Sequence, residues 1–366
     1  ILDEIFVDDT VDIIEEMPAN VVSRILKNTD AETRKQINAI LDYPTDSAGS
    51  VMTTEYVYLH KNMTTKEALD WIRKVGVVKE TIYTCYITES RKLIGFVTIL
   101  DLVTADEDAT IESIMDSNVK FVYTHEDRED VAKKFSKYDF LAMPVVDNEE
   151  RMVGIITFDD VLDVIAEENE EDFSKMAAMQ PIEDSYFKTS VFTHAKKRIG
   201  WLLVLMLSAT ITGNLLTKYE EAFQAIPILV SFIPMLMSTG GNCGSQSSTT
   251  VIRGLATGEI QFKDFFKAVF KEFRISLIIS VILAVTNGLR IFIFYKNLQL
   301  SIVITLSIIG TVIIAEFIGC ALPLIAKKVK LDPAIMATPL ISTIVDTCSM
   351  LIYFQFATMI FSELRH

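Results

Sequence analysis

Cysteine and histidine are scarce, with four of each in 366 residues. Cys85, Cys243, Cys320 and Cys348 show no Cys-x-x-Cys spacing, and three of them fall in apolar segments, where a free thiol is a small packing residue. A disulfide framework or a zinc site is therefore not expected. His60, His125, His194 and His366 are too scattered to read as a ligand set. The chain also lacks a Ser/His/Asp set, an HExxH motif and a Walker loop, so nothing in it points to an enzyme. Basic residues are thin in the first half: residues 1–193 carry 40 acidic against 19 basic side chains, a balance of −21. Such a surface repels nucleic acid and attracts cations. From His194 onward 15 basic residues outweigh 9 acidic ones, within long apolar runs. An acidic soluble module is thus fused to a membrane module. No signal peptide is visible and Ile1 opens the chain in what reads as mid-domain, so further residues are expected before it.

Residues 1–48 read as short amphipathic helices, with Pro18 and Asn28-Thr29-Asp30 as stop and cap signals. An internal repeat follows. Ser50-Val51-Met52-Thr53 recurs as Ser113-Ile114-Met115-Asp116, and residues 94–101 recur as 153–160. Each copy reads strand–helix–strand–strand–helix, over 49–116 and 117–168, and each is too small to bury its sheet alone. The stretch resembles a tandem CBS-domain pair, an α/β fold. Gly-x-x-Thr-x-x-Asp occurs in both copies, at Thr98/Asp101 and Thr157/Asp160. By that resemblance these residues can bind ATP or another adenine nucleotide. The other reading is a Thr N-cap with an Asp in the first helical turn.

The helix after the repeat carries Asp159, Asp160, Asp163, Glu167, Glu168 and Glu171. Acids this dense repel at i,i+3 and i,i+4. Two readings stand: a solvated face, or a surface that divalent cations bridge to the acids near Asp8, Asp9 and Asp12. An acidic linker is expected over 169–198. Five membrane spans are then readable, at about 199–216, 222–239, 273–294, 300–326 and 334–361. Basic flanks at Lys196–Arg198, Lys263–Arg274 and Lys327–Lys330 place those loops and the acidic module in the cytoplasm of a multi-pass cell-membrane protein, with the C-terminus outside.

Residues 240–246 read Gly-Gly-Asn-Cys-Gly-Ser-Gln, after an apolar run. This composition makes a poor hydrophobic helix, so irregular backbone is expected at Gly240, Gly241 and Asn242. At membrane depth such backbone persists only inside protein or along water. A path walled by carbonyl and amide oxygens suits a hydrated cation. Asp346, in the last apolar segment, supplies the negative charge, and an intramembrane acid points to function. Thr338, Ser342 and Thr343 precede it by eight, four and three residues, near one helical face. Glu316, the other acid within a span, reads equally as structural and as a pore residue. An anion pore would instead show basic residues at the constriction.

Several blocks together resemble the MgtE family of magnesium channels and transporters. They are residues 39–53, 157–165, 234–246 with Arg253–Gly258, and 331–339 with Asp346. The resemblance spans essentially the whole chain. It implies a helical N domain, a CBS pair and an all-α five-helix transmembrane domain, assembled as a homodimer with a central pore between the second and fifth spans. It further implies Mg2+ as both transported ion and regulator, bound between acidic N and CBS surfaces. The filter Asp falls on Asp346. Cys243 and Ser349 depart from the family pattern, where a Thr or small aliphatic residue and a Gly are usual. Transport of another divalent cation (Co2+, Mn2+ or Ca2+), or a non-conducting Mg2+ sensor, is the alternative.

Overall fold

A computed structural model of the chain describes residues 5–15, 17–182, 186–361 and 364. It divides into two compact units, Ile1–Glu168 and Asn169–His366.

In the first unit, α1 (Val7–Glu15), α2 (Ala19–Asn28) and α3 (Ala31–Leu41) form a small helical bundle. Val7, Val11 and Ile14 recur at helical spacing, so one face of α1 buries against Ile37 and Ile40 of α3. The repeat follows as β1 (Tyr58–Leu59), α4 (Thr65–Val75), β2 (Thr84–Glu89), β3 (Lys92–Thr98) and α5 (Ile99–Thr104). After the short α6 (Ile111–Ile114) come β4 (Val122–Tyr123), α7 (Arg128–Tyr138), β5 (Ala142–Val146), β6 (Met152–Thr157) and α8 (Phe158–Met176). Each copy makes a three-stranded sheet in which the first strand runs parallel to the second and the second pairs antiparallel with the third.

By the repeat landmarks, residues 113–116, placed at the end of the first copy from the sequence, are the lead-in of the second, and the copies exchange these lead-in segments. Thr53 trades backbone hydrogen bonds of 2.8 and 2.9 Å with Ile155 on β6, while Asp116 trades bonds of 2.9 and 3.0 Å with Phe96 on β3. The Ser-x-Met landmark of each copy therefore completes the sheet of the other. Met52 accordingly packs with Val122, Phe135 and Ile156 of the second core.

The second unit contains the end of α8, then α9 (Val191–Lys218), α10 (Glu220–Ala225), α11 (Ile233–Ala256), α12 (Phe265–Tyr295), α13 (Leu298–Lys328) and α14 (Thr338–Ile360). Among the described residues, four helical stretches are long and apolar enough to cross a membrane: α9, α12 with its lead-in, α13, and α14 with its lead-in. The acidic linker helix ends at Met176, and the first long apolar helix opens at Val191, earlier than the expected 199.

Two expectations are corrected here. The span expected at 222–239 is replaced by α10, a 3-10 turn over Pro227–Phe232, and α11, which continues to Ala256. Pro227 and Pro234 sit where a missing N–H costs nothing, at the first turns of the 3-10 and α segments. The expected irregular backbone at Gly240, Gly241 and Asn242 is continuous α-helix. Its N–H groups are satisfied within the helix, and the glycines serve neighbours instead. A Cβ on Gly240 would meet Thr311, Ser349 and Val345 side-chain atoms at 2.7–2.8 Å, and one on Gly244 would meet Ile341 at 2.8 Å. Small residues admit helices to close approach in a membrane, where hydrophobic burial does not drive association.

Candidate functional site

The glycines of α11 face inward, and much of its remaining polar surface does not. Ser238, Asn242, Gln246, Thr249, Thr250 and Arg253 are all exposed, and at spacings of three and four they share one face of the helix. An uncovered polar stripe on a helix packed among apolar ones needs water or another polar partner. Of this set the sequence singles out Asn242 as a site residue, with Gln246 at the end of the same stretch. The signal was present in the spacing of small polar residues, but it is legible only once the stretch is read as helix.

Asp346 lies on α14, against which α11 packs through Gly240, Gly241 and Gly244. It is half-buried and makes no ion pair among the described residues. Ser342, one turn earlier, abuts Gly241, whose missing Cβ would lie 3.2 Å from its Oγ. Thr343 spends its hydroxyl on the carbonyl of Pro339 at 3.0 Å. The Thr338 side chain lies outside the described residues. Glu316 is 2% exposed and turned inward beside Glu272 of α12, with its backbone carbonyl accepting from Ser247 Oγ at 3.2 Å. It therefore meets the buried side of α11 and not its exposed stripe. Cys243 is buried in the helical core, and Ser349 bonds the carbonyl of Val345 at 2.7 Å while filling the space that Gly240 leaves. Both departures are thus packing residues.

At the entry to α14, Asp332 caps the 3-10 turn Pro333–Met336 by accepting from the Ala334 N–H at 2.8 Å. Its other carboxylate oxygen takes Lys175 Nζ of α8 at 2.7 Å, and Lys175 also holds Glu171 at 2.6 Å. Burial works against the Lys175 charge, but the two carboxylates together outweigh it and push the ammonium well above its usual range.

The first unit holds two groups of acids with different surroundings. Glu167 and Glu168 are bound by Arg128, at 2.8 and 2.9 Å. Asp8, Asp9, Asp159 and Asp160 share their surroundings with Glu80, whose carboxyl is pushed up to about 7 by burial and by those four charges. Burial likewise lifts Asp8 and Asp160 to about 6. Glu55, raised by burial, accepts from the Val7 N–H at the start of α1. Asp8 is 9% exposed, and its Oδ1 has no hydrogen-bond partner; nor has Oε2 of Glu55 or of Glu80. Orphaned, buried carboxylate oxygens are the donors a hard divalent cation takes. Among the described residues no three His, Cys, Asp or Glu side chains are gathered closely enough to form a finished cage. Glu55 and Glu80 were missed by sequence reasoning, since each stands alone in its segment. Asp12 and Asp163 are exposed on α1 and α8.

The two Thr/Asp pairs are occupied with each other. Thr98 Oγ1 accepts from the Asp101 N–H at 3.1 Å while Asp101 accepts from the Thr98 N–H at 2.9 Å, a capping box for α5. The Thr157 N–H donates to Asp160 at 3.2 Å at the start of α8, and there the Thr is buried.

Comparison with known proteins follows the same division. The MgtE intracellular N domain matches residues 1–46, the CBS domain matches 48–108 and 111–167, and MgtE, described as a divalent cation transporter, matches 233–356. The magnesium transporter MgtE of Bacillus subtilis is 35% identical over 352 residues, covering 96% of this chain and 78% of the relative. The magnesium transporter MgtE of Thermus thermophilus is 34% identical, covering 90% of this chain and 74% of its own. A solved cytosolic domain of the Mg2+ channel MgtE in complex with ATP is 39% identical, over 44% of this chain and 67% of that one, with a TM-score of 0.43. By identity over nearly its full length, the chain belongs to the MgtE family of magnesium transporters.

Proposed function

We propose that the chain conducts Mg2+ into the cell as a homodimer, with α9, α11, α12, α13 and α14 as its five spans, the acidic unit in the cytoplasm and the C-terminus outside. The observation that carries this reading is the exposed polar stripe of α11 beside the helix of Asp346. Mg2+ gives up its water reluctantly, so a pore for it holds the hydrated ion. Asp346 and the amides of Asn242 and Gln246 accept hydrogen bonds from that water. In a two-fold assembly two Asp346 carboxylates balance the ion's charge near the axis. Gly240 and Gly241 act by letting α11 approach α14, and Ser342 flanks the path.

Cytoplasmic Mg2+ is also the proposed regulator. The cluster of Asp8, Asp9, Glu55, Glu80, Asp159 and Asp160 fits a hard cation by its orphaned oxygens. Asp12, Asp163, Glu167, Glu168 and Glu171 extend the acidic surface. An ion shared by α1 and the start of α8 would hold them together, and its loss would leave like charges to separate them. The far end of α8, an unbroken helix, reaches the α14 entry through Lys175. Nucleotide binding at the CBS pair is a secondary proposal. Thr98/Asp101 is the accessible pair, and Asp101→Ala should remove ATP binding measured by calorimetry if that copy is used.

The deciding experiment is Mg2+ flux into liposomes holding the purified chain, wild type against Asp346→Ala. Flux reduced to background in a folded mutant supports the path. Flux that persists moves the ion elsewhere. Wild-type protein that passes Co2+ or Mn2+ but not Mg2+ indicates another divalent cargo, and protein passing none is a sensor.

A further inference from the structure

A groove of about 500 Å3 runs along the outside of the second unit between α12 and α13. Phe266, Phe270 and Phe273 of α12 line one wall, and Ile313, Ile314 and Phe317 of α13 line the other. The aromatic residues are not core. Phe266 is 83% exposed and Phe270 63%. Each aromatic on this wall is followed directly by a base: Phe266-Lys267, Phe270-Lys271 and Phe273-Arg274. Lys263 stands one turn before Lys267. One residue is about 100° of helix, so the bases form a stripe parallel to the groove and about a quarter-turn from it. All four bases are exposed, and none has an ion-pair partner among the described residues. A further base, Lys328 at the end of α13, sits 4.6 Å over the ring of Phe262, at the same end of the groove.

We propose that this groove is a site for one acyl chain of an anionic phospholipid, with its phosphate on the basic stripe. An apolar trough flanked along one side by unpaired bases matches an amphiphile with an acyl tail and a negative head. Lysine and arginine stems can follow the apolar surface while their charges reach the phosphate plane. A neutral or zwitterionic lipid fills the trough equally well but leaves the bases without a counter-charge. A second copy of the chain is the poorer occupant, because a two-fold contact on this face would bring the basic stripe towards itself. The proposal rests on these helices crossing a bilayer and is independent of which ion is carried.

The test uses the full-length purified protein. Phe270→Trp in a Trp71→Phe, Trp201→Phe background gives one fluorophore in the groove. It is titrated in detergent with brominated phosphatidylglycerol and with brominated phosphatidylcholine. Stronger quenching by phosphatidylglycerol is expected. Lys267→Gln and Lys271→Gln, each leaving three bases to set topology, should each lower the preference by about five-fold. Native mass spectrometry of the unlabelled protein, which needs no tryptophan, should show phosphatidylglycerol retained over phosphatidylcholine with the same loss in both variants. Equal retention and quenching by the two lipids, or a preference unmoved by both substitutions, would overturn the proposal. So would an engineered indole shielded from either lipid together with cross-linking of Phe270→Cys between copies, which would assign the groove to a subunit contact.

Discussion

The two groups of acids in the first unit invite comparison, because they are alike in chemistry and opposite in surroundings. Glu167 and Glu168 belong to the densest acidic run in the chain, yet Arg128 spans both of them. Glu80 and Glu55 stand alone in sequence, yet they lie in a cluster where buried oxygens have no donor. Density along the chain is therefore a poor guide to where an ion is needed. What matters is whether the fold supplies a resident cation.

The sharpest way to separate the two groups is to neutralise each. Asp8→Asn with Glu80→Gln should raise the Mg2+ concentration needed for half-closure by about ten-fold or more, equivalent to at least about 1.4 kcal/mol of binding. Mg2+-dependent protease protection of the cytoplasmic unit reads this out, and an unchanged midpoint would remove the cluster from the sensor. Arg128→Met removes the guanidinium that Glu167 and Glu168 share, a side chain only 19% exposed, at a cost of about 1–3 kcal/mol in thermal unfolding. If saturating Mg2+ restored that loss fully, the two groups would be interchangeable and the contrast would fail.

A pH series probes the same contrast with a smaller effect. Burial holds the folded carboxyls of Asp8 and Asp160 near 6 and Glu80 near 7. These groups bind protons more tightly folded than unfolded, so their contribution is complete below their unfolded range of about 4 and is lost as pH rises through 6–7. Without Mg2+, the melting temperature of the cytoplasmic unit should fall from about pH 5 to about pH 8, and Mg2+ should flatten that slope. A melting temperature that rises across this window would contradict the assignment. The smallest effect belongs to Glu167→Gln: its side chain is 60% exposed, and the loss should stay within about 0.5 kcal/mol by denaturant titration.

Much of the architecture is legible in the sequence for definite reasons. The repeat announces itself twice through Gly-x-x-Thr-x-x-Asp, and Val7, Val11 and Ile14 carry the period of a buried helical face. What is hidden depends on three dimensions. Gly240-Gly241-Asn242 reads as a break because glycine is a poor helix former in water, whereas here tight packing against Val345, Ser349 and Ser342 favours it. The exchange of lead-ins between the repeats is invisible because Ser50–Thr53 and Ser113–Asp116 look the same whichever sheet they join. Arg128 gives no local sign of its role, since the acids it holds lie about forty residues further on.

The tightest glycine contact of α11 with α13 differs in kind from its contacts with α14. Toward α13 a Cβ on Gly319 would stand 2.3 Å from the carbonyl oxygen of Gly244, so there backbone lies directly on backbone. Toward α14 the nearest neighbours are side-chain atoms of Ser342, Val345, Ser349 and Ile341, and Gly240 also meets a side-chain atom of Thr311 on α13. The first contact is a weld and the second a bearing, since rotamers can yield where main chain cannot. Any sliding in this unit is therefore expected between α11 and α14, the helix that bears Asp346 and whose entry is tethered by Lys175. Such sliding would shift the helix of Asp346 relative to that of Asn242 while leaving α11 and α13 to travel as one strut.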